Sequence, residues 1–323
     1  MRTGELVAFP TETVYGLGAN GLCVDAVRKI FTVKGRPADN PLILHVGFKK
    51  DVHRYGRNIS TKVKKLIREF WPGPLTIIIK KRKKIPDIVT AGLDTVALRM
   101  PANKIALSLI REARVPVAAP SANVSGKPSP TSAAHVYQDF FGKVEMILDG
   151  GKTDVGIEST IIDCTVEPPI ILRPGNITRR QIENIIGIVE NYLYTDQDKG
   201  MIPKSPGLKY RHYAPDVKLI LVEGESIVVK ATIDALLRQY HNQNKRVGIL
   251  AFFPGSNYNI RTTDALINLG LRKQRVSRRL FETLRYFDKK GIDVVLAENF
   301  PSHDHAIMNR LRKAASEIIV AQP

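Results

Sequence analysis

An α/β protein of two domains is predicted, the first built on a mixed sheet and the second on a small parallel sheet. Three observations carry this reading. Over residues 1–190, short apolar runs alternate irregularly with helix-spaced segments and Pro/Gly turns. From residue 216 onward, strand and helix alternate regularly, and the stretch between loses both periods. A chain of 323 residues accommodates two domains of roughly 100–200 residues each, with enough core to fold without disulfides.

Residues 6–9 read as a buried strand closed by Pro10. Residues 25–31 read as a helix, with Ala26, Val27, Ile30 and Phe31 at helical spacing and Asp25 where a cap or first-turn acid belongs. A short apolar strand follows at 41–46. An amphipathic helix at 62–71 is stopped by Pro72-Gly73-Pro74. Strands are expected at 75–79, 96–100 and 115–120, with a helix at 105–113. After a Ser/Gly/Pro-rich loop come a helix at 133–141 and strands at 145–148, 159–163 and 170–172. Residues 191–215 read as a linker. Its end, from Ser205 to Pro215, packs two tyrosines, a histidine and two basic residues into five positions, more than a tether needs. The second domain, 216–323, reads as strand 217–222, helix 227–240, strand 247–253, helix 278–289, strand 292–297 and a final helix 306–321. It carries no glycine-rich phosphate fingerprint.

The composition narrows the class. With 43% hydrophobic and 25% charged residues, the chain is ordinary for a folded globular protein. Cys23 and Cys164 are isolated, so neither a disulfide framework nor a cysteine zinc site is supported. No apolar run reaches the roughly 18 residues of a spanning helix, and the first ten residues are too polar for a signal peptide. A cytoplasmic protein with no membrane partner is expected. The formal charge is +18, and residues 1–180 carry 28 basic against 16 acidic side chains. An anionic partner is implied: nucleic acid, nucleotides and small acids all remain open.

Several segments are too polar or too proline-rich for structure alone. Pro10-Thr-Glu-Thr-Val-Tyr-Gly-Leu-Gly18 leaves a buried strand, as a site or as a turn capped by its own hydroxyls. Lys34-Gly-Arg36 places two cations on one side of an extended segment, with a glycine that admits close approach, an arrangement suited to phosphates. His45 stands in a buried strand, as core residue or ligand. On residues 95–100, Val96, Leu98 and Met100 share one face, while Thr95, Ala97 and Arg99 share the other and resemble a cavity wall. A buried Arg99 needs an anion, from substrate or from a structural carboxylate. Ser121, Asn123, Ser125, Lys127, Ser129 and Thr131 line a loop that prolines stiffen. Polar strand ends recur at Glu158-Ser159-Thr160 and at Arg173. No metal signature and no Ser-His-Asp constellation is legible, so positioning and electrostatics are expected rather than covalent catalysis.

Together the segments resemble the threonylcarbamoyl-AMP synthase family in its two-domain archaeal and bacterial form. The matching motifs occur in order: Pro-Thr-Glu-Thr-Val-Tyr-Gly-Leu-Gly, Lys-Gly-Arg-Pro-x-x-Asn-Pro-Leu, Phe70-Trp-Pro-Gly-Pro-Leu-Thr76, Pro-Ser-Ala-Asn-x-Ser-Gly, and Ser-Pro-Gly-x-Lys-Tyr-x-His-Tyr-Ala-Pro. The resemblance implies a YrdC-like twisted mixed sheet with a basic central cavity, and a small Rossmann-like second domain. It implies formation of threonylcarbamoyl-AMP and diphosphate from L-threonine, bicarbonate and ATP, for threonylcarbamoyladenosine modification of tRNA by a separate transferase complex. Thr13, His45, Arg99, Ser159 and the backbone near Ala119 would form the threonine pocket. Lys34, Arg36, Asn40, Thr95, Ser121, Asn123, Ser129 and Arg173 would contact ATP, and the linker residues Tyr210 and Tyr213 would close over it as a lid. Mg²⁺ would come with the nucleotide and have no protein cage. The family usually carries a helix ahead of the first strand, so a mis-assigned start or a less covered sheet edge is expected here. The alternative from another class is a non-catalytic RNA-binding protein using the basic cavity. It lacks interleaved aromatics, Trp71 being the single tryptophan.

Overall fold

The computed structural model describes residues 1–192, 201–208, 212–254, 258, 263–300 and 305–322. The chain forms two units: Met1–Ser125 with Ser129–Tyr210, and Gly126–Pro128 with Arg211–Pro323.

In chain order the first unit comprises β1 (Val7–Phe9), β2 (Gly16–Asn20), α1 (Val24–Lys34), β3 (Ile43–His45), α2 (Val52–Tyr55), β4 (Gly56–Arg57), α3 (Thr61–Phe70), β5 (Leu75–Lys81) and α4 (Asp87–Thr90). It continues with β6 (Thr95–Arg99), α5 (Lys104–Ala113), β7 (Val117–Ala118), α6 (Ala133–Phe140), β8 (Met146–Ile147), β9 (Thr160–Asp163), β10 (Ile170–Arg173), α7 (Arg179–Ile186) and β11 (Glu190–Asn191). The strands form one mixed sheet in the order β11-β10-β9-β5-β6-β3-β7-β2-β1-β8, with β4 on β5. β6 runs parallel to β3 and antiparallel to β5.

The period of two divides the strands between two faces. Leu44, Leu75, Ile77, Ile79, Val96, Leu98 and Ile162 join the main core with Ala26, Val27 and Ile30 of α1 and Val63, Leu66 and Ile67 of α3. The alternate residues Ile43, Ile78, Ala97, Ile161 and Leu172 form a second apolar cluster on the opposite face. Helix starts follow local chemistry: Ser60 accepts from Val63 N, and Asn103 Oδ1 from Ile105 N and Ala106 N. The strand expected at 115–120 is only Val117–Ala118. Prolines at 116 and 120 flank it and offer no N–H to a ladder.

Strand β2 was not anticipated, because its two glycines hide the alternation. Packing requires both. A Cβ on Gly18 would lie 2.7 Å from the Phe9 ring and 2.8 Å from Val117, and one on Gly16 would lie 3.2 Å from Phe9.

The second unit comprises β12 (Lys218–Glu223), α8 (Ser226–Asn242), β13 (Val247–Ala251), β14 (Ala265–Asn268), α9 (Lys273–Lys289), β15 (Val294–Glu298), α10 (His305–Ala314) and β16 (Glu317–Val320). All its pairings are parallel, in the order β14-β13-β15-β12-β16. The expected final helix 306–321 is corrected: it ends at Ala314, and β16 pairs with β12. The β-branched run Ile318-Ile319-Val320 favours a strand once an open edge of β12 is available, and Ser316 N already bonds Leu219 O.

Candidate active site

The sheet face opposite the main core carries the polar groups. Register sets His45 of β3 beside Arg99 of β6, with Ile43 beside Ala97 on the same side. Arg99 is only 4% exposed. Its Nη2 donates to Glu12 Oε1 at 2.7 Å, and its Nε donates to Gly73 O at 3.3 Å. Glu12 Oε2 in turn accepts from Ala102 N at 3.1 Å. The buried anion that Arg99 demands is therefore Glu12, from the loop after β1. Arg99 Nη1 makes no hydrogen bond among the described residues, so one edge of the guanidinium stays available.

The same loop holds Thr13, fully buried, whose hydroxyl meets Thr11 Oγ1 at 2.8 Å. Thr11 supplies the turn-capping anticipated for this motif: it donates to Val14 O and accepts from Thr13 N and Val14 N.

His45 is buried, its Nδ1 has no partner among the described residues, and the Phe9 ring stands edge-on at 6.0 Å. Burial, then the nearby Arg99 charge, push its pKa down to about 3. The imidazole is therefore neutral at pH 7. An unfolded histidine takes a proton near 6.5, while the folded one resists until about 3. Its stabilising contribution is thus complete above pH 6.5 and is lost as pH falls toward 3, by up to about 1.4 kcal/mol per pH unit. Thermal midpoints measured from pH 6 to 4.5 should fall less steeply in His45→Gln than in the unsubstituted chain. Equal slopes would show that this histidine does not resist protonation.

A second group gathers where β9 begins and β10 ends. Ser159 Oγ lies 2.7 Å from Thr76 Oγ1, and Arg173 donates through Nη2 to Ser159 Oγ at 3.3 Å and through Nε to Ser159 O at 3.1 Å. Ser129 donates its hydroxyl proton to the Glu158 carboxylate. Gly175 is required here, since a Cβ would stand 2.4 Å from Thr160 N and 2.7 Å from the Ser159 carbonyl carbon.

The cationic loop differs from expectation. Lys34 and Arg36 do not flank an extended segment: Lys34 is the last residue of α1, and Gly35 is its left-handed cap at φ 61°. The Lys34 ammonium is buried and donates to the carbonyls of Ser121, at 2.6 Å, and Asn123. It therefore ties the Ser121–Asn123 turn to α1. Arg36 Nη2 donates to Asn40 O at 3.3 Å and Pro41 O at 3.2 Å. Asn40 Oδ1 is buried and accepts nothing among the described residues, which marks an acceptor waiting for a donor. Asn123 Nδ2 bonds Val124 O, Ala119 N bonds Ile43 O, Ser121 bridges to Gly16, and Thr95 is buried at the start of β6.

The expected site residues of the first unit thus fall into linked sets. Arg99 and His45 share a sheet register; Ser159 and Arg173 bond directly; Lys34, Ser121 and Asn123 form one knot. Sequence reasoning missed the partners that hold them: Glu12, Thr76 and Glu158 all lay inside motifs already singled out, without a role. Tyr210 lies outside the described residues. Tyr213 belongs to the second unit, where it stacks on Phe281 at 5.2 Å with the Arg310 guanidinium 5.7 Å from its ring. Within the first unit, Leu208 and Tyr192 pack on the second apolar cluster, and Lys204 pairs with Asp163 at 3.0 Å. A separate cavity of about 320 Å³, lined by Phe48, Asp51, Arg54, Tyr55, Arg111 and Arg114, contains none of the expected site residues.

Among the described residues, no three His, Cys, Asp or Glu side chains gather as a metal site, and no helix is long and apolar enough to cross a membrane.

Comparison with known proteins gives one answer over both units. A family model described as telomere recombination matches residues 1–175, and one described as threonylcarbamoyl-AMP synthase, C-terminal domain, matches residues 177–316. Threonylcarbamoyl-AMP synthase of Pyrococcus abyssi is 47% identical over 99% of this chain and 93% of its own. That of Bacillus subtilis is 44% identical over 99% and 92%. The crystal structure of P. abyssi Sua5 complexed with L-threonine matches with a TM-score of 0.92 at 46% identity, over 99% of this chain and 94% of that one. The non-catalytic RNA-binding alternative finds no support among these relatives.

Proposed function

Because this chain belongs to the threonylcarbamoyl-AMP synthase family in its two-domain form, we propose that it joins L-threonine, bicarbonate and ATP into threonylcarbamoyl-AMP and diphosphate. The observation that carries the reading is the full-length match to a relative whose crystal structure holds L-threonine.

The proposed chemistry has two steps. Bicarbonate gives up hydroxide to form CO₂; the threonine amine attacks its carbon, the N–C bond forming as one C=O π pair moves to oxygen, and the amine proton leaves with that hydroxide as water. An oxygen of the resulting N-carboxylate attacks the α-phosphorus of ATP; the bond to the β-phosphate breaks, and diphosphate leaves. Arg99, held by Glu12 through Nη2, offers its remaining edge to the amino-acid carboxylate. Neutral His45 beside it adds no competing charge, and the hydroxyls of Thr13 and Ser159 orient the substrate. Arg36 and Arg173 face the phosphates, where preorganised cations stabilise charge developing in the transition state. Lys34 acts from behind by fixing the carbonyls of Ser121 and Asn123. The open Asn40 acceptor suits a donor on the nucleotide, and Thr95 and Ser129 complete its contacts. Mg²⁺ would come with the nucleotide and would supply further neutralisation of phosphate charge beside Arg36 and Arg173. Confinement within the site keeps the labile carbamate from losing CO₂. The mixed anhydride then feeds a separate cytoplasmic transferase complex that modifies tRNA.

Mass spectrometry of purified protein incubated with ATP, bicarbonate and threonine is the direct test. Threonylcarbamoyl-AMP is expected only when all three are present. Its absence from the complete mixture would refute the reading.

A further inference from the structure

We propose that the separate cavity of the first unit is an anion site for a nucleoside monophosphate, held by Arg111 and Arg114. Every residue that lines it lies between positions 46 and 116, inside the first unit. It forms where the chain leaves β3, where α5 ends and just ahead of β7. None of the residues proposed for threonine or ATP lines it.

The lining is part apolar and part cationic. Val46, Ile110 and Pro116 are buried and Val115 is half-buried. Arg54, Arg111 and Arg114 line the same cavity, against a single acid, Asp51. That acid is already engaged: Oδ2 accepts from Phe48 N at 3.0 Å, and Oδ1 pairs with Arg54 Nη1 at 3.8 Å.

Arg111 is held in place before any ligand arrives. Its Nε donates to Gly47 O at 3.2 Å, and its guanidinium lies 5.1 Å from the centre of the Phe48 ring. A Cβ on Gly47 would stand 3.0 Å from Arg111 Cγ, so the glycine makes room for this approach. The two Nη groups of Arg111, the pair that grips phosphate oxygens side by side, have no hydrogen-bond partner among the described residues. The Arg114 side chain has none either. Arg114 closes α5 at a left-handed φ of 56°, which turns the chain into Val115 and Pro116 at the cavity wall. Further cations stand close by: Lys50 lies 5.6 Å from the Phe48 ring and Lys84 4.8 Å from the Tyr55 ring. Partial burial, then the charges of Arg54 and Arg82, push the Lys84 pKa below its ordinary value, as crowded positive charge does.

Charge fixes the sign of the ligand and volume fixes its extent. Three guanidiniums facing one engaged acid attract an anion, and their planar forks match the oxygens of a phosphate. About 320 Å³ is at the small end for ligand sites, so it suits one ring system with one phosphate rather than a nucleoside triphosphate. The apolar wall and the Phe48 ring, 46% exposed, give that ring system a surface to lie on.

The test is calorimetric titration of AMP into the full-length chain and into its Arg36→Ala form, which weakens the ATP site proposed above. AMP should bind to both. Arg111→Gln and Arg114→Gly, each made in the Arg36→Ala chain, should weaken that binding roughly tenfold, the scale of one lost charged hydrogen bond. Arg114→Gly leaves the fold intact, because glycine adopts this φ without strain. Adenosine and inorganic phosphate should each bind at least roughly tenfold more weakly than AMP, since each meets only one part of the lining. No AMP binding in the Arg36→Ala chain, unchanged affinity in either cavity variant, or inorganic phosphate binding as tightly as AMP would overturn the proposal. Tighter binding of a single-stranded RNA oligonucleotide than of AMP through the same arginines would overturn it too. Failure to form threonylcarbamoyl-AMP would strike the functional reading alone, since AMP binding at this cavity does not depend on that reaction.

Discussion

Replacing Arg99 with Met is expected to cost about 3–5 kcal/mol of stability and to abolish L-threonine binding. The stability loss follows from Glu12. Both side chains are nearly inaccessible, and among the described residues Arg99 is the only side-chain partner of the carboxylate, which would otherwise retain Ala102 N alone. Removing the cation leaves a buried, uncompensated charge. A thermal midpoint lowered by about 6–20 °C is the observable, given about 2–4 °C per kcal/mol for domains of 150–250 residues. Arg99→Lys keeps the charge but not the planar fork that reaches both Gly73 and Glu12, so it should fall between. The double variant Arg99→Met with Glu12→Met separates the two roles. Pairing the apolar groups should restore much of the stability, while threonine binding should stay lost. Recovery of both together would show that Arg99 serves the fold and not the substrate.

Diphosphate release dependent on threonine and bicarbonate should fall at least about 100-fold in Arg36→Ala, the scale for removing one preorganised donor at a developing charge. The cap at Gly35 turns the chain out of α1 immediately before this residue, so the guanidinium stands on the loop rather than along the helix. Its two carbonyl acceptors, Asn40 and Pro41, fix the side chain before any ligand arrives. Those bonds are long and the group is only half-buried, so stability should change by about 1 kcal/mol or less. The signature is therefore a large kinetic loss with a nearly unchanged melting curve. Turnover close to that of the unsubstituted chain would remove Arg36 from the nucleotide site and weaken the functional reading with it.

Much of this molecule was legible along the chain. Apolar period located α1, α3, α5 and most strands because burial acts residue by residue, and Val96, Leu98 and Met100 did turn to the core while Arg99 turned away. Ordered motifs pointed to the family because residue types suited to phosphates and carboxylates recur there at distinctive spacing. Where local signals were mixed, the reading failed. Glycines under Phe9 disguised β2, and the last residues joined a sheet edge instead of prolonging α10.

Partners were a different matter. Nothing near Arg99 in the chain announces that Glu12, 87 positions earlier, neutralises it, or that Lys34 would spend its charge on carbonyls 87 and 89 positions away. Nor could spacing show that Gly126–Pro128 would leave the unit on either side of it. Hydrophobic period and turn chemistry are properties of neighbours in the chain, whereas a buried charge is satisfied by whatever the fold brings within hydrogen-bond reach. Segment type and family were therefore readable from local pattern, and the pairing of every charged group in the site waited on the tertiary structure.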